Sequence, residues 1–231
     1  MVTAVRERKT VYTLDIGPYA PSITALTRPL LELWARRIGA DLVVLNERRF
    51  PAWPVCYEKL QIHERARERG DDWSVYLDAD ALVHPDTPDF TRFIPRDTVL
   101  HYDADVAAVR WDYDAYFQRD GRHIGSGNWL AVASAWCLDL WRPLDDLTLE
   151  EATARIHPVA FERRVGITPE HLLDDYVLSR NIARFGLKFT TVKRVQEQTG
   201  CVGEFFRHDY LLTEDEKVEV LTKTLIDWKL A

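Results

Sequence analysis

Asp71-Asp72-Trp73-Ser74-Val75-Tyr76-Leu77-Asp78-Ala79-Asp80-Ala81-Leu82-Val83 is the stretch on which the reading of the fold turns. Trp73–Leu77 is a short apolar run bounded by charge, the pattern of a strand covered on both faces, as in a parallel sheet. It ends on two carboxylates separated by the small Ala79. At the carboxyl end of such a strand the chain enters the crevice where open α/β sheets bind ligands. An Asp-x-Asp pair also suits solvated loop carboxylates or a helix cap. A strand before it, small residues within it and a second apolar step before Pro85 favour a ligand role, with both carboxylates facing one divalent cation. Hard oxygen ligands of this kind suit Mg²⁺ or Mn²⁺.

Working outward, Val11–Leu14 reads as a strand that stops at Asp15-Ile16-Gly17-Pro18. Ser22 can cap a helix in which Ile23, Leu26, Leu30, Leu33, Trp34 and Ile38 recur at helical spacing. Pro29 within it predicts a kink or two shorter helices. Asp41–Leu45 is a second strand, so the chain opens with a β-α-β unit. Tyr57–Arg69 reads as an amphipathic helix, with Lys59 near its start either solvated or reaching toward a phosphate in the crevice. Three strands alternating with helices predict a doubly wound α/β fold in one domain, 1–231.

Further on, Val99–Tyr102 and Val106–Val109 read as short strands, and Tyr113–Arg122 as a loop or short helix. Ile124–Ala133 is a small-residue turn entering a strand, after which Ser134 caps a helix through Arg142. Thr168-Pro169-Glu170 marks a helix start, and that helix runs to about Arg184. Asp174 and Asp175 then fall mid-helix, too far from the start to serve the helix dipole; they are either an exposed face near Arg180 or part of a site. Leu187–Val192 is a strand. Thr213 caps a last helix to Trp228, with Glu216 completing a capping box.

The 231 residues suffice for one α/β domain with a sizeable core, and the net charge of −7 argues against a general nucleic-acid surface. No apolar run approaches a membrane span, and the N-terminus lacks the apolar stretch of a signal peptide. Cys56, Cys137 and Cys201 suggest neither a disulfide framework nor a zinc site, so the expectation is a reduced, cytoplasmic protein. No G-x-G-x-x-G or Walker lysine is present.

In this order the parts resemble a GT-A fold glycosyltransferase that uses a nucleotide-sugar donor. The likeness runs through Thr13-Leu14-Asp15 with Tyr19, Tyr57-Glu58-Lys59-Leu60, and Tyr76-Leu77-Asp78-Ala79-Asp80-Ala81. It continues with Gly125-Ser126-Gly127-Asn128-Trp129-Leu130, Leu173-Asp174-Asp175 and His208. It covers nearly the whole chain and is nearest the retaining galactosyl- and xylosyltransferase-like branches. The resemblance implies a mostly parallel mixed sheet flanked by helices. It implies Mn²⁺ or Mg²⁺ held by Asp78, Asp80 and His208 on the diphosphate of a donor, a UDP-sugar being favoured. Thr13, Leu14, Asp15, Tyr19, Lys59 and Ala79 would line the nucleotide. Gly127, Asn128 and Trp129 would face substrate, as would Asp174, which resembles the aspartate that grips donor hydroxyls. Asp175 stands where retaining members carry glutamine facing the anomeric carbon. The acceptor is an unspecified hydroxyl.

The chain departs from the pattern at Gly125, where asparagine is usual, and after His208, where Asp209-Tyr210 replaces a glycine and a Lys-Pro-Trp segment follows nowhere. Three other readings compete. A haloacid-dehalogenase-type phosphatase would place Asp-x-Asp on its first strand, and a nucleotidyltransferase would have a glycine-rich first loop. A catalytically dead sugar- or nucleotide-binding module would hold the donor without turning it over.

Overall fold

The computed structural model describes residues 7–17, 20–102, 110–121, 129–201, 203–209 and 211–230. Its strands are β1 (Lys9–Leu14), β2 (Asp41–Leu45), β3 (Trp73–Leu77), β4 (Leu82–Val83), β5 (Thr98–His101), β6 (Leu130–Ser134), β7 (Lys188–Thr191) and β8 (Phe206–Arg207). The helices are α1 (Pro21–Ile38), α2 (Ile62–Arg69), α3 (Ala115–Asp120), α4 (Leu149–Thr153), α5 (Ala160–Arg164), α6 (Leu173–Phe185), α7 (Val192–Thr199) and α8 (Glu214–Asp227). The six-stranded sheet has the order β2-β1-β3-β6-β5-β7. β1, β2 and β3 are parallel, β6 runs against both β3 and β5, and β7 is parallel to β5. This is an α/β fold, as the residues predict, with the mostly parallel mixed sheet flanked by helices that the resemblance implies.

Because side chains alternate across a strand, each central strand contributes to two cores. Tyr12, Tyr76, Ala131 and Val99 face one apolar layer with Trp141, Tyr176 and Ile182. Val11, Val75, Leu77, Val132 and Leu100 face the other, against Leu31, Trp34 and Val195. Every residue of β3 is buried, Ser74 included, which accounts for the absence of an alternating charged face along it. Among the described residues, no helix is long and apolar enough to cross a membrane.

Several local expectations change. α1 runs unbroken through Pro29 rather than splitting. Pro29 and Ala25, the residue whose carbonyl loses a donor, are both exposed, so the lost bond falls on the solvent face while Ile23, Thr27, Leu31 and Trp34 stay buried. The segment Val55–Gln61 is 3-10 rather than α-helical, and only then does α2 begin. A further 3-10 turn, Pro169–Leu172, delays α6 to Leu173. Asp174 and Asp175 therefore lie in the first helical turn, where acidic side chains suit the positive end of the dipole, and not mid-helix. α7 was not expected from the sequence. The strand expected at Val106–Val109 lies outside the described residues.

β4 and β8 form a separate two-stranded pairing, Leu82 opposite Arg207 and Val83 opposite Phe206. It brings the chain just before His208 alongside the chain just after Asp80. α8 packs on α1 through Leu221, Val218, Leu225 and Trp228 against Ile23, Leu26 and Leu30. Its Thr213–Glu216 capping box forms as expected.

Candidate active site

β3 ends at Leu77, and the turn that follows presents both carboxylates at the carboxyl edge of the sheet. The Asp78 amide donates to the Trp129 carbonyl at 2.8 Å, and the Thr27 hydroxyl of α1 donates to the Ala79 carbonyl at 2.5 Å. The turn is thus tied to both neighbouring layers. His208 reaches it from the far end of the sequence: its Nε2 lies 3.3 Å from Asp80 Oδ1 and 3.8 Å from Asp78 Oδ2. The Trp129 ring stacks on the imidazole, centroids 4.9 Å apart and planes 23° from parallel. One ligand atom from each of Asp78, Asp80 and His208 falls within 4.8 Å of the others. Ligand atoms sharing one octahedral ion at about 2.1 Å lie roughly 3–4 Å apart, so this donor set fits a small divalent cation with little closure.

The two carboxylates are held differently. Asp78 accepts from the Tyr76 phenol at 2.5 Å and lies 3.5 Å from the Lys59 ammonium. Burial, and then the charge of Asp78, hold the Tyr76 phenol well above its ordinary range, so it stays a donor. Lys59 is only 2% exposed and also binds Asp174. Burial pulls its ammonium toward neutrality, but Asp174 and then Asp78 outweigh that, and its pKa rises well above the usual lysine range. Lys59 sits where it does because its neighbour Glu58, fully buried, accepts from Arg48 Nε, the Arg49 and Phe50 amides and Gln61 Nε2, all at 2.8–2.9 Å. That knot fixes the 3-10 segment under the sheet edge.

Asp80 accepts from the Lys217 ammonium at 2.5 Å through Oδ2, while Oδ1 faces His208. Burial alone would raise its pKa, but His208 and then Lys217 more than reverse that, and the carboxyl falls below the usual range. Lys217 escaped the sequence reading. The signal was there, since Lys217 precedes Leu221 by four residues and so occupies a slot of the apolar stripe of α8.

The remaining expected residues are distributed as follows. Thr13 is fully buried and its hydroxyl has no hydrogen-bond partner. Leu14 pairs with Leu45 at the end of β1. Asp15 binds Arg28 of α1 at 3.0 Å, on the wall of a shallow cleft of about 380 Å³ shared with Thr24, Ala25 and Glu32. Asp174 joins the cluster through Lys59, and Asp175 is half-buried one residue on. Tyr19, Gly127 and Asn128 lie outside the described residues.

No family model matches the sequence, and no curated protein matches it. Among solved structures the chain is similar to a glycosyltransferase involved in the glycosylation of the major capsid of PBCV-1. The TM-score is 0.54 at 10% identity, over 94% of this chain and 99% of that one. A second similarity, to A197 from STIV, has a TM-score of 0.33 at 14% identity over 57% of this chain and 67% of that one, and carries no argument. The first shows that the whole architecture is one that a glycosyltransferase also uses.

Proposed function

We propose that the protein is a metal-dependent glycosyltransferase of the GT-A type. It would move a sugar, with retention, from a nucleotide diphosphate donor (a UDP-sugar is favoured) to an acceptor hydroxyl. The observation that carries this reading is the convergence of Asp78, Asp80 and His208 at the carboxyl edge of β3, on a fold shared with a glycosyltransferase over nearly its whole length. Two carboxylates suit Mg²⁺ or Mn²⁺, and the imidazole shifts the preference toward Mn²⁺. Bound there, the ion would act as a Lewis acid on the leaving diphosphate.

The chain's own residues divide the remaining work. The cleft beside Asp15 and Arg28 would take the nucleoside, at the end of β1 where doubly wound folds bind nucleotides. Asp174, oriented by Lys59, would grip donor hydroxyls, and Asp175 would face the anomeric carbon and stabilise its developing positive charge. Lys59 would act on Asp174 and Asp78 more than on phosphate, since its ammonium is already enclosed by both.

The test is a thermal-shift screen of nucleotide-sugars with and without Mn²⁺. A donor at about 100 times its Kd should stabilise the fold by about 2.7 kcal/mol. A shift that needs both the metal and one nucleotide-sugar supports the reading and names the donor. Asp78→Ala and Asp80→Ala should each lose that shift and metal-dependent turnover while remaining folded. No shift with any nucleotide-sugar, together with phosphate release from a phosphomonoester, would replace this reading with a phosphatase.

A further inference from the structure

We propose that Lys217 is a built-in counter-ion that competes with the metal for Asp80, so that the metal is held tightly only when a diphosphate enters with it. The inference rests on the metal reading of the site. Lys217 and Asp80 are each about nine-tenths buried, with side chains 11% and 10% exposed. A charge at that depth needs a partner. The fold itself delivers the ammonium. α8 is clamped on α1 by its apolar stripe, and Ser22 donates to Glu214 at its first turn.

The balance of charge gives the competition its direction. Five charged groups touch one another or the carboxylate pair at the crevice edge: Asp78, Asp80 and Asp174, with the ammonium groups of Lys59 and Lys217. Around them Asp15 pairs with Arg28 and Arg207 with Asp209, while Asp175 lies half-buried beside Asp174. The five contacting groups sum to one negative charge before any ion arrives. A divalent cation alone would turn it positive by one charge, and at the same time would face the ammonium already on Asp80. The diphosphate of a nucleotide-sugar, doubly negative, restores the original balance when it arrives with the ion, and free UDP carries the balance further in the same direction. Without Lys217, Asp80 would lose its ammonium partner, the contacting cluster would stand two negative charges from neutral, and a divalent ion alone would balance it.

The experiment is calorimetric titration of MnCl₂ into the wild type, K217M and K217R, each with and without UDP. Coulomb energies at a few ångströms in a partly buried site (effective dielectric about 20) predict that K217M binds Mn²⁺ alone about tenfold or more tightly than the wild type. They also predict that UDP strengthens its Mn²⁺ binding by a smaller factor. K217R keeps the charge and should stay near the wild type, which separates charge from packing. A second readout is the melting temperature: K217M should melt lower than the wild type without metal and gain more from Mn²⁺. If K217M is folded by circular dichroism and binds Mn²⁺ no more tightly than the wild type, the proposal is overturned while the metal reading stands. If neither chain binds Mn²⁺, with or without UDP, the metal reading itself falls, and the proposal with it.

Discussion

Asp78 and Asp80 are one residue apart, yet they belong to two different constructions. The Asp78 flank is assembled from β3, the 3-10 segment carrying Lys59, and the first turn of α6. Tyr76, Lys59 and Asp174 there form one buried chain of contacts. The Asp80 flank is assembled from the last 25 residues or so: His208 just past β8, and Lys217 on α8. On the inner flank one cation, Lys59, touches both carboxylates. The outer flank has two, since Asp80 is shared between an imidazole and an ammonium. Asp78 is thus tied into a buried network, and under the proposed function Asp80 is the carboxylate for which an ion would compete.

The sharpest way to break this comparison is to remove one cation from each side. Lys59→Met removes the ammonium that bridges Asp174 and Asp78 and should cost about 3–5 kcal/mol of unfolding free energy, the usual penalty for breaking a buried ion pair. Lys217→Met should cost clearly less in urea denaturation, because Asp80 keeps His208. Equal costs would erase the distinction between the flanks.

A smaller effect comes from His101, which stands in the same cross-strand row as Tyr76, with Ala131 between them. Both of its ring nitrogens are buried without partners. Burial, and then the nearby Lys59 charge, push its pKa down to about 4. The folded state thus holds the imidazole neutral, while the unfolded chain takes up a proton near pH 6.5. Stability from this residue is fully present above pH 6.5 and is lost as pH falls toward 4, by about 3 kcal/mol in all. Comparing wild type with His101→Leu across that window isolates the effect. The wild type should lose stability more steeply, and parallel curves would show that His101 finds a partner on protonation.

The mildest test sharpens the outer flank. Thr213→Ala removes the cap of α8 and should cost about 1 kcal/mol, lowering the melting temperature with no change on the Lys59 side.

How much of this was legible differs by region for a physical reason. β2, β3 and α8 appear with the bounds their local patterns predicted, because apolar periodicity and capping chemistry are short-range signals. The delayed start of α6 was not legible. Thr168-Pro169-Glu170 does begin helical structure, but as a 3-10 turn, and the difference of four residues moves Asp174 from mid-helix to a helix N-terminus. α7 was missed because Leu187–Val192 reads as a strand that simply ends. In the site, the Asp-x-Asp pair announced itself through the strand before it. Lys59 read equally well as a solvated lysine, and Lys217 drew no attention among the charges of α8.

By itself the sequence determined the α/β class, the buried central strand and the carboxylate pair at its end, since each follows from residues close together in the chain. Only the tertiary structure decided which cations face those carboxylates. Lys59, Asp174, His208 and Lys217 are brought to them from 19 to 137 residues away. No local pattern encodes a pairing over such distances, because it depends on how the 3-10 segment, α6, β8 and α8 pack around one sheet edge.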